Sequence, residues 1–109
     1  MARLRVCAAR DLGSGQIRRV CGSGGAVAVY NVNGVFYATD DACSHGNASL
    51  ADEGTLVGDV VECGWHHGCF SVITGEALRF PALTPLRTYP VLVEEGNLLV
   101  EVDDMRDSP

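Results

Sequence analysis

The feature that most constrains this 109-residue chain is a pair of short segments that mix cysteine with histidine. The first is Cys43-Ser44-His45-Gly46, and the second runs from Cys63 to Cys69 as Cys-Gly-Trp-His-His-Gly-Cys. All three histidines of the chain lie in these segments, and each is close to a cysteine. Because thiolate and neutral imidazole are both good transition-metal ligands, this grouping among glycines indicates a metal site.

The spacing within the two segments bears on which metal is bound. Each segment offers one thiolate and one imidazole, first as C-x-H and, seventeen residues later, as C-x-x-H. A zinc finger instead groups its ligands as a cysteine pair and a histidine pair. A binuclear iron–sulfur cluster of the Rieske type suits the mixed arrangement better, since one iron takes both thiolates and the other both imidazoles. A structural zinc domain is the alternative, and colour distinguishes them because zinc sites are colourless.

The rest of the chain is typical of an all-β fold. Asn33-Gly34 predicts a two-residue hairpin, because a type I′ turn needs positive φ at both positions. Glu95–Asn97 and Ile73–Glu76 resemble two further hairpin tips, and only Asn47–Glu53 is typical of a helical turn. We expect small antiparallel sheets forming a sandwich or barrel, with a cluster-binding subdomain of two loops. The ten predicted strands are Arg3–Ala8, Gln16–Val20, Ala26–Val32, Val35–Thr39, Leu56–Val57, Val60–Glu62, Phe70–Ile73, Ala77–Arg79, Arg87–Val93 and Asn97–Val102.

Length and composition predict a single domain spanning residues 1–109, with the cluster-binding subdomain at about residues 40–82 and a frayed tail at 103–109. The longest continuous apolar run, Ala26–Tyr30, has five residues. We therefore expect neither a membrane span nor a secretory leader, and a cytoplasmic location. Five cysteines, an odd number, favour metal ligation over a disulfide framework.

The charge of the chain constrains its partners. Fourteen acids against eight bases give a net charge of −6, and residues 20–78 contain seven acids and no base. An excess of this sign argues against nucleic acid or an anionic membrane as partner. An acidic face can instead steer the domain onto a basic protein. A domain this small has little room for a substrate pocket, which favours a carrier over an enzyme.

Over nearly its whole length the chain resembles the Rieske ferredoxins, the electron-carrier components of bacterial aromatic ring-hydroxylating dioxygenase systems. Besides the two Cys/His segments, the resemblance rests on Asp59–Glu62 before the second segment and Thr74–Leu78 after it. Pro81–Leu86, followed by Tyr89-Pro90-Val91, looks like the proline loop that covers the cluster in that family.

The resemblance implies which residues bind one 2Fe–2S cluster. Carried over by position, Cys43 and Cys63 bind one iron, and His45 and His66 bind the other. His66 and not His67 takes the ligand place, because it is third after Cys63. Cys69 is then a thiol near the cluster and not a ligand. Gly64 departs from the family pattern, which often has proline at that place.

The resemblance also implies the function. The chain would take single electrons from an NAD(P)H-dependent flavin reductase and pass them to the terminal oxygenase, without being an enzyme itself. The alternative is the small Rieske-like subunit of a cytoplasmic NAD(P)H nitrite reductase. High-potential relatives in respiratory complexes add a disulfide and two hydroxyl groups near the cluster. The matching places here hold Ala48, Trp65 or its neighbours, Gly68 and Phe70, which predicts a reduction potential of about −150 mV.

Overall fold

The computed structural model describes residues 2–22, 25–42, 49–64, 68–79 and 85–102. These ranges contain eleven strands, one α-helix (α1, Leu50–Glu53) and a 3₁₀ turn at Ala9–Asp11. The strands are β1 (Ala2–Ala8), β2 (Ile17–Gly22), β3 (Gly25–Val32), β4 (Val35–Asp40), β5 (Gly54–Val57), β6 (Val60–Cys63), β7 (Cys69–Ser71), β8 (Ala77–Arg79), β9 (Thr88–Tyr89), β10 (Val91–Glu94) and β11 (Asn97–Val102). None of the helices in these ranges has the length and apolarity needed to cross a membrane.

The strands form three antiparallel sheets, so the predicted all-β class is confirmed. A three-stranded sheet has the order β1-β11-β10, and a four-stranded sheet has the order β2-β3-β4-β9. The remaining four-stranded sheet, β5-β6-β7-β8, is built from consecutive hairpins. It contains the strands on both sides of the second Cys/His segment, so we call it the site sheet.

Strand β3 is buried on both faces and separates two hydrophobic cores. Successive side chains of a strand point to opposite faces, so Val27 and Val29 enter one core while Ala28 and Tyr30 enter the other. The first core lies against the β1-β11-β10 sheet and includes Leu98, Val100 and Val102. The second, which we call the site core, also contains Leu50, Val61, Cys63, Phe70, Val72 and Leu86.

Turn chemistry is where the sequence predicted the chain most accurately. Asn33 and Gly34 have φ of 52° and 93°, and they connect Val32 to its partner Val35, as a type I′ hairpin requires. The β10–β11 hairpin is tighter than the Glu95–Asn97 tip that we predicted. Its two-residue tip is Glu95-Gly96, because Asn97 already pairs with Glu94.

Two predicted strands continue past a residue at which the structure ends a strand. The run Arg87–Val93 is not one strand, because Pro90 has no N–H to donate and the chain changes sheets there, from β9 to β10. The run Phe70–Ile73 ends at Ser71. The Ser71 hydroxyl accepts hydrogen bonds from the N–H groups of Ile73 and Thr74, which turns the chain out of the strand.

Helical structure was also placed imperfectly. The predicted helical turn within Asn47–Glu53 is present as α1, which begins after Ser49, and the Ser49 side chain accepts a hydrogen bond from the N–H of Asp52. We did not predict the 3₁₀ turn at Ala9–Asp11, since no apolar periodicity marks so short an element. The predicted fraying of residues 103–109 lies outside the described residues.

Along the chain, the site sheet and α1 lie between β4 and β9, two neighbouring strands of the four-stranded sheet β2-β3-β4-β9, which we call the middle sheet. The chain leaves β4 at Asp40 and returns at β9, where Tyr89 pairs with Ala38 and Thr88 pairs with Thr39. Everything between these strands, including both Cys/His segments, therefore starts and ends at the same place on the scaffold.

Candidate metal centre

Cys63 ends strand β6 and opens the second Cys/His segment. Its residue is fully buried, and its N–H donates a hydrogen bond to the carbonyl oxygen of Gly68 over 2.8 Å. One pair further along the hairpin, Glu62 lies opposite Cys69. Trp65, His66 and His67 fall between these anchored ends and lie outside the described residues. The hairpin thus fixes where the second segment leaves and rejoins the site sheet.

Gly64, directly after Cys63, lies against the backbone of α1. A Cβ atom at this position would collide with the carbonyl oxygen of Glu53. The chain can therefore make this close approach only with glycine. The contact brings the second segment against the helix that follows the first, and it gives a packing reason for the departure from the family pattern at this position.

The first Cys/His segment is closed at its base by short-range pairing. Ala42 and Ser49 form an isolated antiparallel bridge, so the two residues that flank positions 43–48 are paired with each other. We refer to the intervening six residues as loop 43–48. Cys43 and His45 belong to that loop and lie outside the described residues. Asp41 binds the start of the helix that follows: its carbonyl oxygen accepts from the Leu50 N–H at 2.8 Å, and its Oδ1 accepts from the Ala51 N–H at 2.9 Å.

Arg19, on strand β2, contacts residues on both sides of the first Cys/His segment. Its Nη1 atom lies 2.9 Å from Asp52 Oδ2, 3.2 Å from Ser49 Oγ and 3.9 Å from Asp41 Oδ2. Asp41 is only 3% exposed, so its charge needs compensation, and Arg19 supplies part of it. The guanidinium thereby connects the middle sheet to both ends of α1's N-terminal turn.

Asp40 makes a different set of contacts, with the segment that follows the proline loop. Its backbone N–H donates to the Arg87 carbonyl oxygen at 2.9 Å, and its Oδ2 accepts from the Arg87 N–H at 3.3 Å. Its Oδ1 accepts from the Tyr89 hydroxyl at 2.5 Å. Burial and this hydrogen bond raise the pKa of Tyr89 to about 12. Residues 80–84 lie outside the described residues, but Asp40 fixes the chain just beyond them.

The inner wall of the site is apolar. Leu50, Val61 and Phe70 are fully buried with Cys63 in the site core. Tyr30 adds a buried ring whose hydroxyl lies 2.8 Å from Thr39 Oγ1, and burial raises its pKa far above the usual range. Water is thus excluded from the side of Cys63 that faces the protein, which is one determinant of a metal centre's potential.

Cys69 lies on the other face of the site sheet from Cys63. Val61, Cys63 and Phe70 are buried on the inner face, whereas Glu62 and its partner Cys69 belong to the alternate positions of their strands. None of the four cysteines in the described ranges forms a disulfide. This placement supports Cys63, and not Cys69, as the residue of this hairpin that serves the metal.

Comparison with known proteins agrees with the iron–sulfur site that the Cys/His segments indicate. The model of the Rieske [2Fe-2S] domain matches residues 2–90. The chain belongs to this family. Membership assigns one Rieske-type 2Fe–2S cluster to it, which excludes the zinc alternative.

The chain matches several ferredoxins along most of their length. The chain is 52% identical, over 98 residues covering 89% of it and 83% of the relative, to the ferredoxin component of the p-cumate 2,3-dioxygenase system of Pseudomonas putida. Among solved structures, a chain in the complex of reduced oxygenase and oxidised ferredoxin of carbazole 1,9a-dioxygenase matches with a TM-score of 0.86 and 47% identity, covering 93% of this chain and 97% of that one. The Sphingomonas yanoikuyae B1 ferredoxin matches with a TM-score of 0.85 and 39% identity, covering 94% and 100%.

The residues that this Rieske domain presents fit such a cluster. The predicted donor set has two thiols and two imidazoles, and its one described member, Cys63, is a buried thiol without a disulfide. The close approach at Gly64 holds the second loop against the helix that closes the first. Cys43, His45 and His66 lie outside the described residues, so their ligation stays a prediction.

Sequence reasoning missed the polar residues that fix the ends of the first Cys/His segment and the chain just after residues 80–84 in this Rieske domain. Asp40, Asp41 and Arg19 were counted only as charges, yet Asp41 and Arg19 contact the residues after the first segment, and Asp40 binds Tyr89. The available signal was a pair of aspartates between the last residue of a predicted strand and a C-x-H segment. Aspartate at the end of an element often accepts hydrogen bonds from nearby backbone N–H groups.

Proposed function

We propose that the chain is a cytoplasmic one-electron carrier that takes electrons from an NAD(P)H-dependent flavin reductase and delivers them to the terminal oxygenase of an aromatic ring-hydroxylating dioxygenase system. The observation that carries the proposal is the 52% identity to a ferredoxin component along 83% of that relative. The carrier role also fits a domain in which the residues flanking both Cys/His segments are held by backbone pairing, since electron transfer requires little rearrangement around the metal.

We propose the ligands as follows: Cys43 and Cys63 on one iron, His45 and His66 on the other. When bound, the cluster accepts and releases one electron. The burial of Cys63, the closure of loop 43–48 by the Ala42–Ser49 bridge and the closure of the second segment by Cys63 and Gly68 support this assignment.

The charge around the loop ends supports docking onto a basic partner surface, but less strongly than the sequence predicts. Arg19 neutralises part of the charge of Asp41 and Asp52, and Arg79 lies 3.4 Å from Glu62. Because Arg19 faces two carboxylates and the neighbouring Glu53 is exposed, the α1 side keeps a net negative charge. We expect transfer to the oxygenase to slow moderately as ionic strength rises.

The ligand assignment is tested by two pairs of matched variants. His66→Ala and Cys63→Ser should abolish the rhombic EPR signal of the dithionite-reduced protein. His67→Ala and Cys69→Ser change the same residue types one and six positions away, and they should keep the signal. A signal that survives loss of His45 and His66 together would refute the assignment.

The carrier role is tested by reconstitution. The purified protein should support NADH-dependent hydroxylation by a related reductase and oxygenase at catalytic amounts, and it should elute from gel filtration apart from both. If it elutes in a lasting complex with an NAD(P)H nitrite reductase subunit, and supports no hydroxylation, the nitrite reductase alternative replaces the carrier role.

A further inference from the structure

One residue, Asp41, makes most of the described contacts that close the first Cys/His loop. Its N–H donates to the Ala26 carbonyl oxygen at 3.1 Å, which fixes the near end of the loop to β3. Its carbonyl oxygen and its Oδ1 accept from the consecutive N–H groups of Leu50 and Ala51, which fixes the far end. A single side chain and its backbone thus join both ends of the six residues between Ala42 and Ser49.

The carboxylate of Asp41 is suited to this role because it is buried and charged. Its exposure is 3%, and its two oxygens have different partners: Oδ1 accepts from Ala51, and Oδ2 faces the Arg19 guanidinium at 3.9 Å. Hydrogen bonds that involve an ionised group are stronger than those between neutral groups. The N–H groups of Leu50 and Ala51 open α1 and have no acceptor within the helix itself.

We propose that Asp41 is a positioning residue for the cluster. By fixing both ends of loop 43–48 before metal binds, it presets the places from which Cys43 and His45 reach the iron atoms. The proposal rests on the ligand assignment above. A loop whose ends are already joined loses less conformational entropy when its ligands bind, so the bound cluster is held more tightly and in one geometry.

The neighbouring Asp40 does not duplicate this role. Its carboxylate contacts Arg87 and Tyr89, on the other side of the site, and neither is part of α1. Asp52 shares Arg19 with Asp41, but its side chain is 59% exposed and makes none of the described contacts with the backbone of Leu50 or Ala51. Asp52→Asn therefore removes one negative charge from the same network and leaves the loop ends bonded.

The test compares Asp41→Ala, Asp41→Asn and Arg19→Gln with Asp52→Asn and the wild type, all purified with their cluster. Two quantities are measured: the g values of the reduced EPR spectrum, and the rate at which a chelator removes iron, followed by bleaching of visible absorbance. Asp41→Ala should release iron about tenfold faster and change the g values, because the side-chain bond to Ala51 and the contact with Arg19 are lost, while the backbone bonds to Ala26 and Leu50 remain. Asp41→Asn should show a smaller effect, since its amide oxygen still accepts from Ala51.

Arg19→Gln keeps the proposal testable if Asp41→Ala fails to fold. It changes a half-exposed residue on β2 and should increase iron release in the same direction, whereas Asp52→Asn should match the wild type. A core variant, Leu98→Ala, destabilises the protein without touching the loop and should keep the wild-type g values.

Three results would overturn the proposal: wild-type g values and iron release in a folded Asp41→Ala variant, wild-type behaviour of Arg19→Gln where Asp41→Ala does not fold, or an equal effect of Asp52→Asn. The ligand assignment is judged separately. If Cys43→Ser keeps the Rieske spectrum, the assignment is wrong whatever Asp41→Ala does, and if it loses the spectrum, the Asp41 result stands by itself.

Discussion

The two hydrophobic cores allow the metal site to be perturbed separately from the stability of the whole domain. Leu50 and Leu98 are both fully buried, but Leu50 lies in the site core with Cys63, and Leu98 lies in the core on the other side of β3. Truncating either to alanine removes the same atoms. Each substitution should lower the free energy of unfolding by about 3 kcal/mol, from lost burial and the cavity left behind. For a domain of this size that corresponds to a melting temperature lower by roughly 12 °C.

The cluster should distinguish the two variants. In Leu50→Ala the cavity opens beside β6 and α1, so part of the loss of stability falls on the residues that fix the ends of the ligand loops. If about half of the lost free energy of unfolding, roughly 1.4 kcal/mol, is lost at the metal site, iron release should be about tenfold faster. Leu98→Ala should release iron at the wild-type rate. Both rates are measured by chelator bleaching at a temperature well below either melting point, with unfolding followed by far-UV circular dichroism. Equal bleaching rates in the two variants would show that cluster lifetime follows global stability, and the local argument would be wrong.

Three further predictions concern single groups. A redox titration should give about −150 mV, because Gly68 and Phe70 supply no hydroxyl to the cluster, and a value above zero would contradict this. Tyr89 has a pKa raised from 10.0 to about 12, so its neutral form stabilises the fold fully below pH 10, and that stability should be lost between pH 10 and 12. Tyr89→Phe should flatten the decline, as measured by urea unfolding across that range. Cys69→Ser should leave the potential within error of the wild type, since Cys69 lies on the outer face of the site sheet, and a clear shift would place it at the cluster.

The sequence predicted those parts of the fold that depend on local chemistry. Asn33-Gly34 specified its hairpin because few other residues adopt two consecutive positive φ values. The ending of β11 at Val102 and the turn after Ser49 also followed from local patterns. The break at Pro90 could have been predicted, since proline rarely continues a ladder, but an apolar run on both sides of it favoured one long strand.

Tertiary contacts could not be predicted in the same way. The sequence does not say that Asp40 bonds to Arg87 and Tyr89 while the adjacent Asp41 bonds to Ala51, because those partners lie 10 to 49 residues away and depend on how the sheets pack. The collision that makes Gly64 necessary also arises only when α1 and β6 are in place. For the same reason, counting charge over residues 20–78 overestimated the acidity of the site, since Arg19 and Arg79 come from outside that range.

The pairing of β4 with β9 has a consequence for protein engineering. The chain enters and leaves the whole metal-bearing portion through two strands that are direct neighbours, which lie about 4.8 Å apart in a sheet. A portion with such closely spaced ends can be exchanged as a cassette between related scaffolds without stretching either junction. We expect a chimera joined within Ala38–Asp40 and Thr88–Tyr89 to acquire the redox properties of the donor while keeping the first core of the recipient.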